Sequence, residues 1–135
     1  MRKGGFLLPV NSDGKILLVQ SLSRKEYLGM WSLPGGAADS DESQVDCAVR
    51  ETLEETGVVC EITNLNMAYD DEKHQISIKI FNAKQVSGHL KLQNNEIMNA
   101  KWLSIEEALS LSLAYNTREV INNFSKNADA NRFSL

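Results

Sequence analysis

The sequence predicts an α+β fold, a mixed β-sheet with flanking helices, and three observations carry that expectation. Short apolar or alternating runs are separated by Gly, Pro, Asn and Asp turn signals. Helical patterning is confined to a few stretches and shows no regular strand–helix–strand rhythm. The chain has 135 residues, 42% of them hydrophobic, which suits a single domain over residues 1–135 with one sizeable core.

Residues 4–10 read as a strand that Pro9 confines to a sheet edge or a strand end. Asn11-Ser12-Asp13-Gly14 carries an Asp-Gly turn signal and KILLVQ (15–20) is a buried-strand run, so the two form a hairpin. Residues 21–30 are polar and mixed, a loop carrying Arg24 and Lys25. Trp31-Ser32-Leu33 alternates and stops at the breaker Pro34-Gly35-Gly36. A helix runs from about Ser43 to Thr56, with Ser43 as N-cap, Asp46 three residues on, and Gly57 where a helix ends in a left-handed residue. VVCEIT (58–63) returns to strand character, and residues 75–83 alternate Ile76, Ile78 and Ile80 against Ser77 and Lys79. Leu90 and Leu92 bracket Lys91 in a further short strand, and residues 100–103 form another that ends at Ser104. That serine caps a helix over Ile105–Leu111, and NTREVINNFS (116–125) is one more helix. The polar tail 126–135 is expected to be disordered.

Lys and Arg number 14 against 18 Asp and Glu, a formal charge of −4, which argues against a general nucleic-acid or anionic-membrane surface. A phosphate-bearing small substrate stays open, because a bound cation inverts local electrostatics. Cys47 and Cys60 show no C-x-x-C spacing and suit a reducing, cytoplasmic location. Met1-Arg2-Lys3 is basic, but the apolar run Phe6–Val10 is too short for a signal-peptide core, and no stretch approaches the ~18 apolar residues of a membrane span.

The informative stretch is GAADSDESQVDCAVRETLEETGV (36–58). On a helical wheel Val45, Ala48, Val49, Thr52 and Leu53 fall within an arc of roughly 140°, the expected core stripe. Glu51, Glu54 and Glu55 share the adjacent flank within roughly 100°. Three like charges held that close are stable only if solvated, partly protonated or bridged by a cation. A solvated face is the common outcome for E-x-x-E-E alone. Two features favour a site: the Arg50 fork beside Glu51, and the Gly-Gly turn and further acid Glu42 that precede the helix. Hard oxygen donors with no His or Cys at ligand spacing suit Mg²⁺, or Mn²⁺ in its place, rather than zinc.

These residues resemble the Nudix box, G-x5-E-x7-R-E-U-x-E-E-x-G-U with U aliphatic. Its fixed positions fall on Gly36, Glu42, Arg50, Glu51, Glu54, Glu55 and Gly57, with Val58 in the last aliphatic slot. Seven such matches arise by chance in roughly one sequence in a million. The first aliphatic slot holds Thr52, whose methyl can face the core while its hydroxyl bonds back along the helix. Trp31–Gly36 also looks like the strand and turn that lead into the box in this family.

The resemblance implies the Nudix fold, an αβα sandwich, and a hydrolase of a nucleoside diphosphate linked to another moiety that works with divalent metal. It implies Glu51, Glu54 and Glu55 as metal-binding catalytic acids, the Gly35 carbonyl as a further ligand, and Arg50 as the residue that orients a catalytic Glu. Glu51 or Glu55 would orient or deprotonate the attacking water, a role worth ~10²–10⁴-fold. Glu42 is expected at the turn, on the periphery of the metal. Glu96 is the candidate for the extra acid that many relatives recruit from outside the box. Arg24 or Lys25 is assigned to phosphate contact, and Asn116 to base reading or to a helix cap. Phe6, Trp31 and Tyr69 are stacking candidates, although aromatic residues in strands are usually core. His74 is read as structural or exposed, and Cys47 as a small packing residue. The proline, tyrosine and extended motifs that mark ADP-ribose, diadenosine-polyphosphate and NADH hydrolases are missing, so a (deoxy)nucleoside triphosphate is favoured. An ADP-ribose or nucleotide-sugar hydrolase, a non-catalytic nucleotide sensor and an RNA-end decapping enzyme are the alternatives. The expected partner is a small nucleotide, with no membrane and no general nucleic acid; a homodimer is left open.

Overall fold

The computed structural model describes residues 1–22, 25–92 and 95–133, with side chains as far as residue 127. Its strands are β1 (Arg2–Val10), β2 (Ile16–Ser21), β3 (Trp31–Ser32), β4 (Gly35–Ala37), β5 (Val58–Asp71), β6 (Ile76–Gly88) and β7 (Ile97–Leu103). Helix α1 (Gln44–Thr56) lies between β4 and β5, and α2 (Ile105–Leu109) and α3 (Thr117–Phe133) follow β7. No helix among the described residues is long and apolar enough to cross a membrane.

All seven strands belong to one mixed sheet. The Asn11 side chain closes the first hairpin, its Oδ1 accepting from the amides of Asp13 at 3.0 Å and Lys15 at 2.9 Å. Beyond the single pair Val10–Ile16, β1 and β2 diverge. β1 runs on parallel to β6 and antiparallel to the short β4, while β2 pairs antiparallel with β3 and β7. β5 and β6 complete the sheet as a long antiparallel pair.

Alternation along the strands sends side chains to two apolar layers. Leu7, Leu17, Val58 and Phe81 pack with Ala48 of α1, while Leu8, Leu18, Ile78 and Ile80 pack with Ala108 of α2 and Val120 and Ile121 of α3. The result is a helix–sheet–helix sandwich. On the α1 side the helix backbone comes very close to β1: a Cβ on Gly5 would collide with the Gln44 carbonyl and lie 3.1 Å from the Ala48 amide. Such close approach rotates the buried face of α1 away from its aliphatic residues. Cys47, Ala48, Thr52, Glu55 and Thr56 are buried, whereas Val45 and Leu53, expected in the core stripe, are 39% and 41% exposed. The Thr52 hydroxyl, expected to bond back along the helix, has no partner among the described residues; Thr56 makes that bond instead, donating to the Thr52 carbonyl at 2.7 Å.

Other expectations are corrected in detail. Of the two places expected for Pro9, the strand end is the one observed: it is the penultimate residue of β1, which is central and not an edge. The amides of Leu7 and Asn11 point to the side where β1 and β2 part, and the Pro9 nitrogen, of the same parity, gives up no ladder bond there. The Pro-Gly-Gly breaker contributes β4, a strand in its own right. β5 continues to Asp71 through three register shifts against β6, each of which breaks the period of two. Residues 90–92 form no strand; Gly88 turns the chain at φ +84°, and the Lys91 amide donates to the Thr56 carbonyl. The polar tail is helical through Phe133, and residues 134–135 lie outside the described residues.

Candidate active site

Both ends of α1 are fixed by its own sequence. The Ser43 hydroxyl accepts the Asp46 amide at 3.0 Å, and Gly57, at φ +79°, returns its amide to the Leu53 carbonyl at 2.9 Å. Between them Arg50 gathers the acids. Its Nε and Nη2 donate to the two oxygens of Glu42 at 2.7 and 2.8 Å, and its Nη1 donates to Glu51 and to Glu54, each at 3.1 Å. Glu42 also accepts the Asp39 amide at 3.1 Å. This set of hydrogen bonds, led by Arg50, holds the Glu42 carboxyl down at about 2.

Glu51 and Glu55 point past Arg50 into a cavity of about 330 Å³ in the opening between β1 and β2. Two glycines make the passage. A Cβ on Gly36 would stand 2.9 Å from the Glu51 carboxyl carbon, and one on Gly35 would strike Phe6 and the Gly5 carbonyl. The Gly35 amide donates to Glu55 Oε1 at 3.0 Å. Glu96, on the turn before β7, lines the same wall and raises the proton affinity of both Glu51 and Glu55. Burial dominates for Glu55, whose carboxyl is pushed up to about 8; the Gly35 hydrogen bond opposes that shift, and the neighbouring acids add to it. Glu51 shifts upward too, through burial first.

The far end of the cavity is built on the sheet face that α1 does not cover. Phe6, Ile76, Ile78 and Ile80 form an apolar floor, and Arg2, Tyr69, Asp71, Tyr115 and Asn116 surround it. Tyr69 is hydrogen-bonded to the Asn116 side chain, and Tyr115, held at φ +55°, brings its ring to 4.3 Å from that of Tyr27.

A family model described as the NUDIX domain matches residues 2–124. The chain belongs to the Nudix family. It is a hydrolase of phosphoric anhydride bonds. It is 33% identical over 126 residues to a protein named putative 8-oxo-dGTP diphosphatase from Bacillus subtilis, a match covering 93% of this chain and 81% of that one. It is also 33% identical over 105 residues to the CTP pyrophosphohydrolase of Escherichia coli, covering 78% of each. Among solved structures, the E. coli ORF135 protein superposes with a TM-score of 0.73 at 29% identity, covering 96% of this chain and 94% of that one.

Nudix hydrolases generally need divalent metal ions, and the donors here fit such a group. Glu51, Glu55, Glu96 and the Gly35 carbonyl offer oxygen alone, and no histidine or cysteine among the described residues lines the cavity. The buried Glu55 is costly as a bare anion and favours a proton or a cation beside it. No three acidic, histidine or cysteine side chains among the described residues are drawn into a ready-made cluster, and Glu51 and Glu54 lean instead on Arg50.

Several expected residues are thus brought together and others are not. Glu51, Glu55, Glu96, Gly35 and Asn116 line the one cavity; Glu54 stays outside its wall, at Arg50. Lys25 is exposed on a short 3₁₀ turn and is not part of the wall, so the expected phosphate contact is not formed there, and Arg24 lies outside the described residues. Trp31 is core, with Lys101 Nζ 5.8 Å over its ring. Cys47 is a packed thiol donating to the Gly36 carbonyl at 3.3 Å, and burial pushes it up to about 11. Arg2, Asp71 and Tyr115 were not singled out from the sequence. Only the strand parity that links residues 2, 76 and 71 across three strands would have pointed to the first two.

Proposed function

We propose that this Nudix hydrolase is a Mg²⁺-dependent pyrophosphohydrolase that cleaves a nucleoside diphosphate linked to X, foremost a (deoxy)nucleoside triphosphate, to the nucleoside monophosphate and pyrophosphate. The observation that carries the reading is one cavity with two unlike ends, acids Glu51, Glu55 and Glu96 at one and the Tyr69–Asn116 pair over an isoleucine floor at the other. The Bacillus and Escherichia relatives, both named for activity on nucleoside triphosphates, support it.

Mg²⁺, or Mn²⁺ in its place, would be held by Glu51, Glu54, Glu55, Glu96 and the Gly35 carbonyl, and would supply positive charge on the phosphate oxygens. The chain's own residues do the rest. Glu51 or Glu55 orients the attacking water and takes its proton as oxygen bonds to phosphorus and the bridging P–O bond breaks. Arg50 is a positioning residue whose fork fixes the carboxylates that meet the substrate. Asn116 contacts the base.

The test is a panel of nucleoside triphosphates, ADP-ribose and nucleotide sugars with Mg²⁺ in oxygen-18 water, with products identified. Label in the monophosphate or in the pyrophosphate identifies the phosphorus attacked. Glu54→Gln should cut turnover at least about a hundredfold with the fold intact, and Glu96→Gln should reduce it at saturating Mg²⁺. Preference for ADP-ribose, or nucleotide binding without turnover, would replace this reading with that of a different hydrolase or of a sensor.

A further inference from the structure

Among the described residues that line the cavity, one is a cation. Glu51, Glu55, Glu96 and Asp71 bring negative charge to the wall, and Arg2 alone brings positive. Strand β1 fixes where that charge sits. Gly35, which holds Glu55, pairs with Phe6, and Arg2 lies four residues before Phe6 on the same strand, roughly 13 Å along the sheet. The even separation keeps Arg2 and Phe6 on one face. A nucleotide whose phosphates rest at the acids extends its base, not a further phosphate, to that end. Tyr69 and Asn116 stand on the same part of the wall.

The side chain is anchored at its root. Arg2 pairs with Ile76 of the apolar floor, and its amide donates to the Gln75 carbonyl at 3.2 Å. Its guanidinium forms no hydrogen bond or ion pair among the described residues, and the nearby acid of the wall, Asp71, is engaged by the His74 amide at 3.2 Å and ring nitrogen at 2.7 Å. A guanidinium stays charged, donates through a planar fork and accepts nothing. It therefore discriminates between ligands by the acceptors they set before it.

We propose that Arg2 is a specificity-determining residue whose fork reads the nucleobase and favours bases that offer two acceptors side by side. Guanine offers O6 beside N7, and cytosine offers O2 beside N3. Adenine sets its amino group beside both N1 and N7, so one arm of the fork meets a donor. Uracil and thymine interpose the N3–H donor between their carbonyls. In 8-oxoguanine N7 carries a proton, and the pair that guanine offers is lost. The proposal rests on the reading of this cavity as a nucleotide site and adds which bases it selects.

Calorimetric binding of GMP, CMP, AMP, UMP, 8-oxo-GMP and ribose 5-phosphate in the presence of Mg²⁺ tests the preference apart from catalysis, since none of them has an anhydride bond to cleave. GMP and CMP should each bind about tenfold more tightly than AMP, UMP and 8-oxo-GMP. Arg2→Ala should bring those ratios close to one and leave ribose 5-phosphate unchanged. Arg2→Lys, which keeps the charge and loses the fork, should lose most of the preference. A merely structural arginine would alter melting temperature and leave the ratios untouched. Unchanged ratios in Arg2→Ala, no preference in the wild type, or an equal loss for every ligand including ribose 5-phosphate, which would place Arg2 at the phosphate, overturns the proposal. Parallel turnover of the triphosphates separates the two readings. Discrimination that depends on Arg2 without hydrolysis sinks the pyrophosphohydrolase and leaves the role of Arg2 standing; hydrolysis without discrimination does the reverse.

Discussion

Glu55 is a carboxylic acid only 5% exposed that accepts a hydrogen bond from the Gly35 amide across 20 residues of sequence. The bond ties the acid-bearing helix to the strand that opens the cavity. It compensates only part of the cost of burial, and the remainder appears as the upward shift of the group to about 8.

Stability should therefore fall with rising pH in the absence of divalent ions. Between about 4.5 and about 8 the folded protein keeps the Glu55 proton while the unfolded chain has lost it, so the native state binds more protons and its stability declines across that window. The loss should be on the order of a few kcal/mol. Thermal melts from pH 5 to pH 8.5 check this: Glu55→Gln should flatten the slope, and added Mg²⁺ should raise the wild-type melting temperature most at the alkaline end.

Gly36→Ala and Gly5→Ala should fail differently. The first places a methyl 2.9 Å from the Glu51 carboxyl carbon and moves a side chain, so turnover should drop about tenfold to a hundredfold with melting nearly unchanged. The second meets the backbone of Gln44 and Ala48 and should cost about 2 kcal/mol or more of stability. Steady-state kinetics beside denaturant titrations distinguish them.

Arg50→Lys keeps the charge and loses the fork. A lysine cannot span both oxygens of Glu42 while reaching Glu51 and Glu54. The Mg²⁺ concentration for half-maximal rate should rise about 10–100-fold with KM for the nucleotide little changed. A proportional rise in KM would instead place Arg50 against the substrate.

Thr52→Val should stabilise the protein. It replaces a buried hydroxyl that has no partner among the described residues with a methyl of similar shape, worth about 1 kcal/mol and a few degrees in melting temperature. Scanning calorimetry on the two proteins decides it.

The site was more legible in the sequence than the frame around it. Seven fixed positions of the box, the Ser43 cap and the Gly57 stop define α1 locally, and the structure reproduces its ends to within a residue. The buried face of α1 was not legible because it depends on Gly5, about 40 positions earlier, letting the backbone approach. The length of β5 was hidden by its three register shifts, and the central place of β1 by a proline whose nitrogen faces a gap rather than a neighbour. Glu96 and Asn116, which line the cavity, were singled out through family likeness.

Since Val10 and Ile16 are the one ladder pair between β1 and β2 among the described residues, the clearance of the cavity is freed from the fixed spacing of a strand ladder. Arg2 and Phe6 of β1 and Val19 and Ser21 of β2 line that clearance, while the acid-bearing helix stays anchored on the opposite layer. The width of the cavity and the placement of its acids are in this way separately adjustable.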